Sequence, residues 1–253
     1  MVIALVFLAI LLFPLICYSQ YVIHIITLIL LWSFVATAWS LMARFGIVSL
    51  GHGAFLSIGA YIPTLLFNFY GLSPWLGMFF AIAVAALAAM ILGYPCFRFG
   101  LIGDYFALVT LAVAEVGSLV IVACREYTGG SLGLTLKSSN RSWIDFQFND
   151  ERYYYYIAMI FLLLALFIWR LIEKSKIRLA LTAIGESELA AASLGVNVIK
   201  YKMLITTLSV TLTAMGGVVY AQCTRYISPD TVSGVGVSLS VCFKAKSRNI
   251  IAI

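Results

Sequence analysis

Apolar residues fall along this chain in long unbroken runs, not in the alternation of a half-buried strand or the one-sided stripe of a surface helix. A helix needs about 20 apolar residues to cross a bilayer. Seven runs approach that length: Val2–Tyr18, Tyr21–Leu41, Leu50–Tyr70, Trp75–Phe97, Tyr105–Cys124, Tyr153–Leu171 and Met203–Cys223. The expected fold is all-α, a polytopic transmembrane helix bundle of about seven apolar spans. The third run mixes Gly, Ser and Pro63 with its apolar residues, so a broken or re-entrant helix is expected there. The first run lacks a basic stretch ahead of it and a small-residue cleavage site. It reads as an uncleaved span, not a signal peptide.

Composition strengthens this picture. Of 253 residues, 63% are hydrophobic and 10% charged, and the mean hydropathy is +1.06. Soluble domains carry about 45–50% apolar and about 25% charged residues. That excludes a soluble enzyme, a disordered chain and a conventional nucleic-acid binder. The net charge of +6 fits the loading of Lys and Arg into cytoplasmic loops. Segment 170–202 carries Arg170, Lys174, Lys176, Arg178, Lys200 and Lys202 against Glu173, Glu186 and Glu188, whereas segment 125–152 is balanced. The first is therefore expected inside and the second outside. Counting back through the spans puts Arg98, Arg44 and the N-terminus in the cytoplasm. The five cysteines form no CxxC pair and read as small core hydrophobes.

Little in the chain suggests chemistry. Gly129–Gly133 matches GxSxG, but it lies in a loop between spans and lacks the strand–turn–helix setting of a nucleophile elbow. A phosphate-cradling GxxxxGK[ST] and a metal-ligand cluster are both missing from the sequence. The chain is read as a non-enzyme without a cofactor. Polar residues in apolar surroundings are more informative. Glu115 falls mid-span, where an ionisable group costs about 2.5–3.5 kcal/mol on insertion scales. It is either a pathway group or an interhelical hydrogen-bonding partner. Ser49, Gly53 and Ser57 recur every fourth residue around His52, which suits close helix packing or exposure of backbone to a zwitterionic substrate. Ser49, His52, Gly53 and Glu115 are the substrate-path candidates. His24 reads as structural, and Asp104 as an interfacial partner of Arg98. Trp143–Phe148 alternates like a strand. Ala183–Gly195 reads as one short helix with acidic residues leading, small ones following and Gly195 as its stop.

Three blocks resemble a known family: S-L-G-H-G-A-F with G-A-Y (Ser49–Tyr61), G-D-Y-F-A-L-V-T-L-A-V-A-E with T-G-G-S-L-G-L (Gly103–Glu115 and Thr128–Leu134), and A-I-G-E-S-E-L-A-A-A-S-L-G-V-N-V-I-K-Y-K (Ala183–Lys202). Together they are similar to the branched-chain amino-acid permease subunits of ABC importers, of the LivM type, from about residue 39 to 230. The resemblance implies a permease domain over 1–230, with a cytoplasmic coupling loop near 172–202 and an external loop near 125–152. It implies that Glu186, Glu188, Ala190, Ala191 and Gly195 couple to separate ATPase subunits, which hydrolyse the ATP. Further implied partners are a second permease subunit, an external solute-binding protein and the lipid bilayer, without nucleic acid. The implied location is the plasma (inner) membrane of a bacterium or archaeon, and the implied cargo is Leu, Ile or Val. A urea or short-amide importer is the alternative, and an ATP-independent secondary transporter a more distant one. Family members continue past Ile227–Asp230 into further helices. Residues 231–253 depart from that pattern and are expected to be a truncated or frameshifted tail.

Overall fold

The computed structural model describes residues 13–14, 19–101, 103–137 and 143–233. Apart from Phe13 and Pro14, the run Val2–Tyr18 lies outside the described residues, as does most of the tail. In chain order the elements are α1 (Gln20–Ala43), α2 (His52–Tyr70), α3 (Pro74–Arg98), α4 (Asp104–Ala123), α5 (Arg125–Thr128), a 3-10 turn (Gly130–Leu132) and β1 (Leu134–Thr135). They continue as α6 (Glu151–Glu173), α7 (Lys176–Glu186), α8 (Glu188–Ser193), α9 (Val198–Thr224), β2 (Tyr226–Ile227) and α10 (Pro229–Val232). Among the described residues, six helices are long and apolar enough to cross a membrane: α1, α2, α3, α4, α6 and α9.

Two pairs of spans that are far apart in sequence pack in parallel. Gln20 reaches Asp150 and His24 reaches Glu151 at one end of α1 and α6, while Arg44 reaches Glu173 at the other. These contacts rise together in number, so α1 and α6 run side by side in the same direction. The same holds for α2 and α9, where His52 reaches Ser209 and, further along both helices, a Cβ on Gly59 would meet Ala214. Against α1, α9 runs the other way: Ser209 bonds Ala38, whereas Gly216 abuts Phe34 and Val35. In lipid no hydrophobic force draws helices together, so small residues that let backbones touch carry the packing.

The third run is not broken. α2 is one continuous helix with Pro63 inside it. Proline removes one intrahelical hydrogen bond and crowds the preceding turn. Here Pro63 is buried against α3 at Gly77, where a Cβ would lie 2.9 Å from Pro63 Cα. The α3 glycine makes room for the proline, so the helix passes through.

The segment after α4 caps one end of the bundle. Its strand is not at 143–148. β1 pairs antiparallel with β2, with Leu134 opposite Ile227. Residues 143–146 instead form a turn in which Phe146 takes φ +52 and stacks on Trp75 at 4.4 Å. Burying that ring outweighs the cost of a left-handed backbone, which is about 1–2 kcal/mol for a non-glycine residue.

Candidate coupling elbow and transport path

The stretch expected to form one helix from Ala183 to Gly195 is two helices joined at Ser187. That residue is extended, at φ −160 and ψ 114, and its hydroxyl accepts the Ala190 N–H at 3.3 Å. A serine that can cap a new helix competes with continuation of the old one, and here capping wins. α8 then ends as the sequence predicts. Gly195 takes φ +84, its N–H bonds Ala192 O at 2.9 Å, and the Val196 N–H bonds Ala191 O at 3.1 Å. This is the doubly bonded glycine stop of a helix C-terminus.

The elbow has an inner and an outer side. Ala191 is buried at 1% exposure, while Leu189 and Leu194 are 86% and 81% exposed. Glu186, Ala190 and Gly195 are also exposed. Glu188 turns inward, and its carboxylate accepts a hydrogen bond from Lys202 Nζ. The Lys202 side chain is only 5% exposed, and its ammonium lies 5.4 Å from the centre of the Phe97 ring. Beside this pair lies a cavity of about 540 Å³ walled by Phe45, Ile47, Phe97, Phe106 and the elbow itself. Close by, Glu173 accepts from Arg44 at 2.6 Å and pairs with Arg178 at 2.9 Å, which ties α1, α6 and α7 together.

The path candidates divide. Ser49 and His52 come together in the core. His52 Nε2 lies 3.0 Å from Ser209 Oγ, and that hydroxyl donates to Ala38 O at 2.7 Å. Because the Ser209 proton is engaged, the network places the His52 proton on Nε2, leaving Nδ1 to face Ser49 Oγ at 3.3 Å. His52 therefore clasps α2, α9 and α1. Gly53, the residue after His52, is also buried. Glu115 is not brought to this cluster. It is exposed on α4, a helix that buries only Phe106, Ala107 and Ala114.

Other expected pairings differ in detail. Arg98 bonds Tyr94 Oη at 3.1 Å and stacks on its ring, and no ion pair with Asp104 is found among the described residues. Asp104 stands instead in the first turn of α4, where the helix dipole favours an anion. His24, read as structural, has the Glu151 carboxylate 3.2 Å away. Sequence reasoning missed Ser209 and the inward role of Lys202. Asn197, whose side chain accepts the Lys200 N–H at 3.0 Å, was the available sign that α9 starts before Lys202.

The family described as branched-chain amino acid transport system / permease component matches residues 21–243. This chain belongs to that family. Among its relatives is the high-affinity branched-chain amino acid transport system permease protein LivM of Salmonella typhimurium, 31% identical over 208 residues, 74% of this chain and 48% of the relative. The Bacillus subtilis guanosine ABC transporter permease protein NupQ is 24% identical, covering 76% and 64%. The Lactococcus lactis nucleoside ABC transporter permease protein NupC is 26% identical, covering 80% and 68%. The chain thus spans about half the length of the LivM relatives it matches. No solved structure matches it significantly. As a member of the branched-chain amino acid permease family, it is a polytopic membrane protein of the ABC transporter class.

Proposed function

We propose that this chain is a permease subunit that lines the membrane path of an ATP-binding-cassette importer for Leu, Ile or Val, and that it docks on a separate ATPase through the α7–α8 elbow. The observation that carries the reading is the elbow's two-sidedness. Ala191 and Glu188 hold it to the bundle while Leu189 and Leu194 project outward. Two exposed leucines, one on the short helix α8 and one capping its end, suit a groove on a partner protein. The basic residues around the elbow support a cytoplasmic position for it in a cell bounded by this (inner) membrane, and with it a cytoplasmic N-terminus. The end bearing β1, β2 and Trp143 then meets the solute-binding protein. A second permease subunit completes the path, and Glu115 on the open face of α4 is the residue of this chain nearest to it in role.

In the transport step that follows, ATP binding closes the partner ATPases and moves the elbow, and the spans switch from outward to inward access. The test is tagged purification in mild detergent from cells co-expressing the neighbouring transport subunits. Leu189→Glu with Leu194→Glu should reduce ATPase recovery at least about tenfold, the size of loss that follows from placing charges in a buried docking patch. Normal recovery would refute elbow docking. Radiolabelled leucine uptake, challenged with excess guanosine, addresses the cargo. Competition by isoleucine and valine supports branched-chain import, whereas competition by guanosine alone assigns a nucleoside permease.

A further inference from the structure

We propose that Glu188 and Lys202 form a half-buried latch that transmits movement of the coupling elbow into the transmembrane bundle, so that both are positioning residues and neither contacts the ATPase. This rests on the elbow-docking reading above. Glu188 is the first residue of α8, and Lys202 is the fifth residue of α9. Their hydrogen bond therefore joins the start of α8 directly to the helix at the centre of the bundle. Lys202 also sits over Phe97 at the end of α3, so three elements meet at one ammonium group.

The location argues for transmission over stability. A lysine near a membrane surface is cheaply left in water, as Lys200 two residues earlier is. Here Lys202 is withdrawn from water while Glu188 stays about one-third exposed; desolvating the lysine offsets much of the attraction, and what the pair secures is a defined geometry. Here the geometry spans a joint. α8 is bounded by the extended Ser187 and by Gly195 in the left-handed region, two points at which the backbone can pivot. Between them Ala191 and the latch hold the helix inward. The cavity of about 540 Å³ against the latch gives the elbow room to close toward Phe45 and Phe106. Seven residues along α9, two turns on, Ser209 is gripped by His52 and Ala38. A pull on Lys202 is thereby delivered through α9 to α2 and α1.

The experiment uses the complete transporter in proteoliposomes and reads three quantities: ATPase recovered with the permease, ATP hydrolysed, and radiolabelled leucine taken up per ATP. The variants are Glu188→Gln, Lys202→Met and the reversed pair Glu188→Lys with Lys202→Glu. Each single variant should keep its ATPase and still hydrolyse ATP, while uptake per ATP falls about tenfold, within the range of coupling between linked sites. The reversed pair should restore uptake to within about threefold of the parent, a rescue that requires the two groups to act on each other. Should a single variant fail to purify as one species, Glu188→Asp keeps the charge and shortens the reach, and the same loss of uptake per ATP is expected of it. Parental uptake in the single variants, or a reversed pair no better than they are, overturns the latch. Loss of the ATPase from Glu188→Gln alone also overturns it, because Glu188 would then be a docking contact. Failure of the parent itself to retain an ATPase would instead remove the elbow-docking reading.

Discussion

Adding one methyl group at Gly217 tests whether α2 and α9 meet backbone to backbone. A Cβ there would lie 2.1 Å from Leu56 O and 2.9 Å from Ala60 N. Carbon–oxygen contacts between packed helices settle at about 3.3–3.6 Å, so the helices must part by about 1 Å. The opposing atoms are backbone, and no side chain can swing aside to absorb the strain. Overpacking in a filled interior costs about 1–3 kcal/mol, and this site belongs at the upper end. For a domain of this size 1 kcal/mol moves the melting temperature by roughly 2–4 °C, so Gly217→Ala should melt about 6–12 °C below the parent. Tryptophan fluorescence during heating in mild detergent reads the shift. Gly117 on α4 is the control, since a Cβ there meets only Ala54 Cβ at 3.7 Å, an ordinary contact. Relief of glycine's backbone entropy should make Gly117→Ala neutral or stabilising by up to about 1 kcal/mol. Equal melting of Gly217→Ala and the parent, or equal destabilisation by both substitutions, would refute the close-packed pair.

Other substitutions separate the remaining roles. His52→Ala removes one hydrogen bond from each of the Ser209 and Ser49 hydroxyls in the core and should cost about 1–3 kcal/mol; an unchanged melting temperature would show that His52 clasps nothing. Gly195→Ala has open space around its Cβ but must hold φ +84, so a loss of about 1 kcal/mol is expected from backbone strain alone. Faster hydrogen exchange in α8 would register it, and unaltered exchange would argue against a strained stop. Glu173→Gln weakens two partly exposed arginine contacts and should cost no more than about 1 kcal/mol. That cost should shrink in high salt; a larger, salt-insensitive loss would mean a buried network. Glu115→Gln should impair leucine uptake while leaving the subunits assembled, and normal uptake would assign Glu115 to packing.

Hydropathy made the spans legible because each of the six needs a continuous apolar length, and that length is written residue by residue. It misjudged α2, since Pro63 and the glycines read as breaks. The compensating Gly77 lies on another helix, where no local pattern reveals it. The same limit explains Lys202. A lysine at the margin of an apolar run looks like a loop charge, and only the arrival of Glu188 and Phe97 from elsewhere in the chain makes burial affordable. Ser187 was legible in type but not in consequence, because a serine inside a helix-forming run breaks it only when its hydroxyl finds a backbone N–H. For Glu115 the costly depth was readable, but the face was not: α4 is apolar all round, so nothing in its own sequence says which side meets the bundle.

α4 turns Glu115 outward among Leu108, Val116 and Leu119, and this bears on how many copies a cell can keep. A carboxylate facing hydrocarbon is tolerated once another helix covers it, and until then each solitary copy carries an insertion cost of about 2.5–3.5 kcal/mol. Copies made in excess of their partners are the ones left paying it. The hypothesis is that survival, as well as synthesis, sets the subunit ratio in the membrane. A pulse-chase measurement on the chain expressed alone decides the matter: Glu115→Leu should lengthen its half-life, and an equal half-life for both forms would show that the carboxylate plays no part in the clearance of unassembled copies.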